Sequence, residues 1–176
     1  MAARRPVAVA EPSLDAKVAF LREPDSYPEP TYRVEALETH MSWVFLTDAY
    51  VYKLKQPVRH ELLDFRTLRA RRFYCQEELR LNQRLAPDVY LGLAPLTIDR
   101  RGHLALGGLG DVVDWLVRMR RLPADKTLDY LLQHSGVPES DLLRLAGRLA
   151  EFYASLPSEP LTEARYRMRF LRRVLA

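Results

Sequence analysis

Apolar positions along the chain follow strand-like and helix-like patterns, and after Pro123 only the helical one remains. Between Ser13 and Glu23, Leu14, Val18 and Leu21 recur on one side of a short helix, which the prolines between Pro24 and Pro30 terminate. Three strand-like runs follow: Tyr32 to Leu37, Trp43 to Leu46 and Tyr50 to Lys55, the last two joined by a tight turn at Thr47-Asp48-Ala49. Pro57 stops the third run, because proline has no N–H for a sheet ladder. A long helix is predicted from Thr67 to Ala86, with Pro87 just past its end. Val89 to Ile98, Leu104 to Leu106 and Val112 to Met119 read as further strands, separated by turns at Asp99 to Gly102 and at Gly107, Gly108 and Gly110. Beyond Pro123 come helices only: Lys126 to His134, Pro138 to Leu156, and a basic tail from Glu163. In the second of these, Leu142, Leu145, Ala146, Leu149, Tyr153 and Leu156 form one apolar face. The expected fold is α+β: an antiparallel sheet with one long helix, followed by a helical region.

On a helical wheel of Thr67 to Ala86, Leu68, Cys75, Leu79 and Ala86 fall together, with Tyr74, Leu81 and Leu85 nearby. Arg69, Arg72, Gln76, Arg80, Gln83 and Arg84 occupy the opposite arc. Glu78 falls inside the apolar arc, with Arg71 and Asn82 close to it. A carboxylate on a buried face needs a partner, since an unpaired buried charge costs several kcal/mol. Arg71 is one candidate and a lysine of the preceding strand is the other. Strand side chains alternate, so Lys53 and Lys55 face the same side. Lys53 is the favoured one, because it follows the Asp48-Ala49 turn by the shorter run.

Composition narrows the classes. The chain has 176 residues and a formal net charge of +4, enough for one domain or for one lobe and the start of another. Its cations are almost all arginine; the only lysines are Lys17, Lys53, Lys55 and Lys126. A single cysteine, Cys75, excludes an intrachain disulfide and argues against a zinc site. No apolar run approaches the roughly 18 residues that span a membrane, and no secretory cleavage pattern follows the start, so a cytoplasmic protein is expected. Acidic residues are interleaved with the basic ones and no aromatic-plus-basic module occurs, which argues against nucleic acid as partner. His40, His60, His103 and His134 have no metal-ligand spacing, and no Gly-x-Ser-x-Gly elbow is present.

Several segments together carry a resemblance. They are the run from Glu38 to Leu46, then Val51 to Val58, Leu63-Asp64-Phe65, Glu77 to Asn82, and Val113-Asp114-Trp115 through Met119-Arg120-Arg121-Leu122-Pro123. Over residues 24 to 156 the chain resembles a bacterial group of aminoglycoside-phosphotransferase-like proteins of protein-kinase-like fold, many of which also carry a P-loop ATPase domain. The resemblance implies a kinase-like N-lobe at 24–119 after an N-terminal arm and helix at 1–23. It implies a hinge at 120–123 and the start of a C-lobe at 124–176. It implies ATP and Mg²⁺ as cofactors and a small-molecule hydroxyl as phosphoryl acceptor. Ser42 would lie in the turn above the phosphates, Lys53 would hold them, with Lys55 as the alternative, and Glu78 would hold the lysine. Met119 would back the adenine pocket, and Arg120, Arg121 and Leu122 would offer backbone groups to the base.

Two departures bear on that expectation. The turn Thr39 to Ser42 has no glycine, although glycines let a loop approach phosphates closely. Gly107 to Gly110 cannot replace it, because no Lys-Ser/Thr follows and a strand comes next. Phosphoryl transfer also needs an orienting Asp and Mg²⁺ ligands, and no histidine here precedes Gly-Asp. No catalytic residue and no metal ligand is therefore expected within this chain. The alternative reading is a non-catalytic kinase-like module that binds a partner or forms a homodimer through exposed C-lobe surface.

Overall fold

Residues 11–157, 160 and 162–168 are described by a computed structural model of the chain. Residues 1–10 of the expected arm, and residues 169–173 of the basic tail, lie outside them. The structure divides into two units, one ending at Pro123 and one starting at Ala124.

The first unit opens with helix α1, Leu14–Arg22, whose Ser13 cap accepts a hydrogen bond from the Ala16 N–H at 3.1 Å. Strands β1 (Glu35–Glu38), β2 (Ser42–Leu46) and β3 (Tyr50–Lys55) form an antiparallel meander. Helix α2, Leu68–Asn82, follows, capped by Thr67, and then β4 (Tyr90–Ile98), β5 (Leu104–Leu106) and β6 (Asp111–Arg120). The six strands make one antiparallel sheet in the order β1-β2-β3-β6-β4-β5.

Two elements depart furthest from the expected bounds, each for an identifiable reason. β1 starts at Glu35 rather than Tyr32, because Glu35 pairs with Leu46, the last residue of β2, and nothing on that strand remains to pair earlier residues. Tyr32 instead donates its N–H to the Asp48 carboxylate at 2.6 Å. α2 ends at Asn82 rather than Ala86: the Asn82 amide donates to the Glu78 carbonyl at 2.7 Å, and Leu85 and Ala86 both close onto the Asn82 carbonyl.

The register sorts the sheet into two faces. Phe45 opposes Tyr52, and Leu54 opposes Leu116, so these four share a face. They are buried with Val18 and Leu21 of α1 in one core, which makes α1 part of the sheet's packing. Val44 opposes Lys53, which opposes Val117, and Val51 opposes Met119; these belong to the other face. Cys75 of α2 lies over that face and donates its thiol to the Trp115 carbonyl at 3.6 Å. Burial pushes the Cys75 thiol up to about 12, so it is chemically inert near neutrality.

The two helices meet the sheet at Asp114. The β3–β6 ladder ends at Leu54 and Leu116, which leaves that edge of β6 open. Asp114 accepts from Lys17 of α1 at 2.9 Å and from Arg71 of α2 at 2.8 Å. All three side chains are at most 5% exposed, while the fourth member, Glu11, is 62% exposed. Arg71 also donates to the carbonyls of Phe65 and Arg66 at 3.2 Å each.

The second unit contains α3 (Leu128–His134), α4 (Glu139–Ala154) and α5 (Glu163–Tyr166). Gly136, at φ 73°, terminates α3 and returns its N–H to the Leu131 carbonyl. On α4, Leu142, Leu145, Leu149 and Tyr153 are exposed. No helix among the described residues is long and apolar enough to cross a membrane.

Candidate functional site

Strand alternation puts Lys53 and Lys55 on the α2 face of β3, and the phase of α2 turns Glu78 toward them. Lys53 Nζ lies 2.8 Å from Glu78 Oε1, and Lys55 Nζ lies 2.6 Å from Oε2. One carboxylate thus carries two ammonium groups, and the cluster has a formal surplus of one positive charge. The other candidate partner, Arg71, is not used: two turns before Glu78 on the same side of α2, it is committed to Asp114 and two carbonyls near the start of the helix.

Burial alone pushes the Glu78 carboxyl up, because desolvation penalises the anion. Hydrogen bonds and charge from Lys53 and Lys55 outweigh it, and the carboxyl rests below its ordinary value of 4.5. A depressed folded-state value stabilises the fold above the unfolded-state value, and that contribution is lost as pH falls through the folded one. The stability difference between the parent and Glu78→Gln is therefore expected to be constant from neutrality down to about pH 5.5 and to shrink below about pH 4.5. Urea denaturation across that range measures it; a difference that grows on acidification contradicts the assignment.

Beside the ion cluster lies a cavity of about 410 Å³, lined by Leu46, Val51, Met119 and Tyr90 and by the Arg120-Arg121-Leu122 segment. Val51 and Lys53 point the same way two residues apart, about 7 Å along the strand. Burial raises the pKa of the Tyr90 hydroxyl, and the Glu78 charge adds to it while Lys53 opposes it, so cavity and cluster share one electrostatic environment. Met119 lines the cavity as the penultimate residue of β6.

Two expected contributions are altered by the structure. The N–H of Arg120 is taken by the Val89 carbonyl at 2.8 Å and that of Arg121 by the Ala49 carbonyl at 2.9 Å. Among the described residues, Leu122 alone of the three keeps an unused N–H. Ser42 is not in a turn: it is the first residue of β2, opposite Lys55, and is buried. The glycine-free turn before it is braced by side chains. Thr39 Oγ1 donates to the Ser42 carbonyl at 2.8 Å, and the Gln56 amide donates to the Thr39 carbonyl at 2.7 Å.

Sequence reasoning missed the Lys17–Asp114–Arg71 cluster. Its available signal was an acid in the apolar run Val112 to Met119, together with an arginine on the inward arc of α2. Among the described residues, no group of three or more His, Cys, Asp or Glu side chains is placed to hold a metal ion.

No family model matches the chain. Its relatives include uncharacterised proteins of Mycobacterium bovis and of two strains of Mycobacterium tuberculosis, each 34% identical over 121 residues. The match takes in 68% of this chain but only 22% of each relative, so the chain spans about a fifth of the length of those proteins. No solved structure matches it.

Proposed function

We propose that this chain forms the ATP-binding lobe of a kinase-like small-molecule phosphotransferase, of the kind its sequence resembles. The observation that carries the reading is the Lys53–Glu78 pair at 2.8 Å, set on the same sheet face as the 410 Å³ cavity. In protein kinases a lysine of the third strand contacts nucleotide phosphates and pairs with a glutamate of the following helix. Here Lys53 is on the third strand and Glu78 on the next long helix. Leu46, Val51 and Met119 supply apolar surface for a flat base, and Leu122 supplies one backbone donor. The surplus positive charge beside them suits a polyphosphate.

Magnesium fits less well within this unit, because Glu78 is consumed by two lysines. The reading assigns the Mg²⁺ ligands and the acceptor-orienting aspartate to residues outside this chain. The second reading, a non-catalytic module for a partner or a second copy, is favoured by the exposed Leu142, Leu145, Leu149 and Tyr153 of α4.

Calorimetric titration of the chain with ATP and with adenosine tests the proposal. ATP is expected to bind at least about tenfold more tightly, as one charge-assisted hydrogen bond of about 1.5–3 kcal/mol implies. The advantage should shrink in high salt. Equal affinity for the two, or binding of neither, sinks the nucleotide reading and favours the non-catalytic one.

A further inference from the structure

Lys53 and Lys55 reach the same carboxylate through different oxygens, yet their surroundings differ. The Lys53 side chain is 31% exposed, and that of Lys55 is 8% exposed. The Lys55 ammonium lies 5.1 Å from the ring centre of Phe65, itself buried, and opposite the buried Ser42 across the ladder. Lys53 shares its face with the cavity-lining Val51 and has solvent beside it. One lysine is thus enclosed between a carboxylate and an aromatic ring, and the other is partly exposed to solvent, two residues along the strand from the cavity-lining Val51.

From this geometry we infer that the two lysines divide the work: Lys53 is the anion ligand, and Lys55 is a positioning residue that keeps Glu78 paired while Lys53 turns to the ligand. The inference rests on the nucleotide reading for the identity of the anion, a phosphate chain. Its physical basis is the cost of leaving a buried carboxylate alone. With a single lysine, every contact between Lys53 and a phosphate would weaken the only partner of Glu78. With Lys55 resident, Glu78 stays ionised and in place, and the Lys53 ammonium can be shared with an anion at little loss. Lys55 itself need not touch the ligand.

Four proteins decide the matter: the parent chain, Lys53→Met, Lys55→Met and Lys55→Arg. Two readouts are taken from each, the affinities for ATP and adenosine by calorimetry, and the titration of the Glu78 carboxyl by carbon NMR without nucleotide. Lys53→Met is expected to abolish the advantage of ATP over adenosine and to leave adenosine binding unchanged. Lys55→Met is expected to raise the Glu78 midpoint more than Lys53→Met does, and to cut the ATP advantage about threefold or more without removing it. Lys55→Arg, which keeps the cation and folds if the methionine variant does not, should restore both.

The proposal is overturned if Lys55→Met abolishes the ATP advantage while Lys53→Met spares it, since the roles would then be exchanged. It is equally overturned if the Glu78 midpoint responds less to loss of Lys55 than to loss of Lys53. Should the parent bind neither ATP nor adenosine, the nucleotide reading fails by itself. The carboxyl titration then still decides whether Lys55 is the resident partner of Glu78.

Discussion

Asp114→Ala is expected to lower the free energy of unfolding by about 3–5 kcal/mol, the range for removing one partner from a buried ion pair. The loss follows from what remains. Lys17 and Arg71 are 5% and 2% exposed, and without Asp114 their nearest anion is the largely solvated Glu11, at 3.2 and 3.3 Å. Two buried cations would then sit close together, with only the solvated Glu11 carboxylate and backbone carbonyls as partners. Asp114 also joins α1 and α2 to the central strand β6, so both helices should loosen. Urea denaturation gives the change as a shift in midpoint. A triple variant, Lys17→Met, Arg71→Met and Asp114→Leu, should recover most of the loss, because it removes the charges rather than stranding them. A midpoint within error of the parent for Asp114→Ala would mean that water reaches the cluster and the pairing contributes little.

Gly110→Ala is expected to cost about 2–4 kcal/mol, from backbone strain and overpacking together. Gly110 has φ 138°, a region that residues with a Cβ rarely adopt, and an added Cβ would lie 2.2 Å from the Ile98 carbonyl oxygen. That oxygen belongs to the β4 backbone and cannot swing aside as a side-chain end could. Gly102→Ala separates the two causes: its φ is 88° but an added Cβ meets nothing within 4 Å. The control should lose about 1 kcal/mol, the strain alone. If both variants lose the same amount, the close approach to Ile98 is relieved by a small backbone shift and contributes nothing.

The site was legible in proportion to how local its causes are. Lys53 and Lys55 share a face because strand side chains alternate, and Glu78 turns inward because of where it falls on the α2 wheel. Both periods can be read within a dozen residues. The partner of Glu78 was not legible to the same degree, because Arg71 and the two lysines were all within plausible reach. What settled it is the open edge of β6 at Asp114, which draws Arg71 away. Ser42 was misplaced for a similar reason. Its neighbours suggest a turn, but pairing with Lys55 extends β2 to include it.

The amino-acid sequence by itself determined the α+β succession, the helix starts near Ser13 and Thr67, and the inward acid of α2. These depend on side-chain period and on hydrogen bonds within three or four residues. Only the tertiary structure decided the strand order, in which β6 inserts between β3 and β4, and with it everything that crosses strands. The commitment of the Arg120 and Arg121 N–H groups to Val89 and Ala49 is one such result. The sharing of Glu78 by two lysines and the burial of Lys17, Arg71 and Asp114 together are others. Contacts between residues tens of positions apart depend on register, and a register is set by the packing of the whole sheet rather than by any one segment.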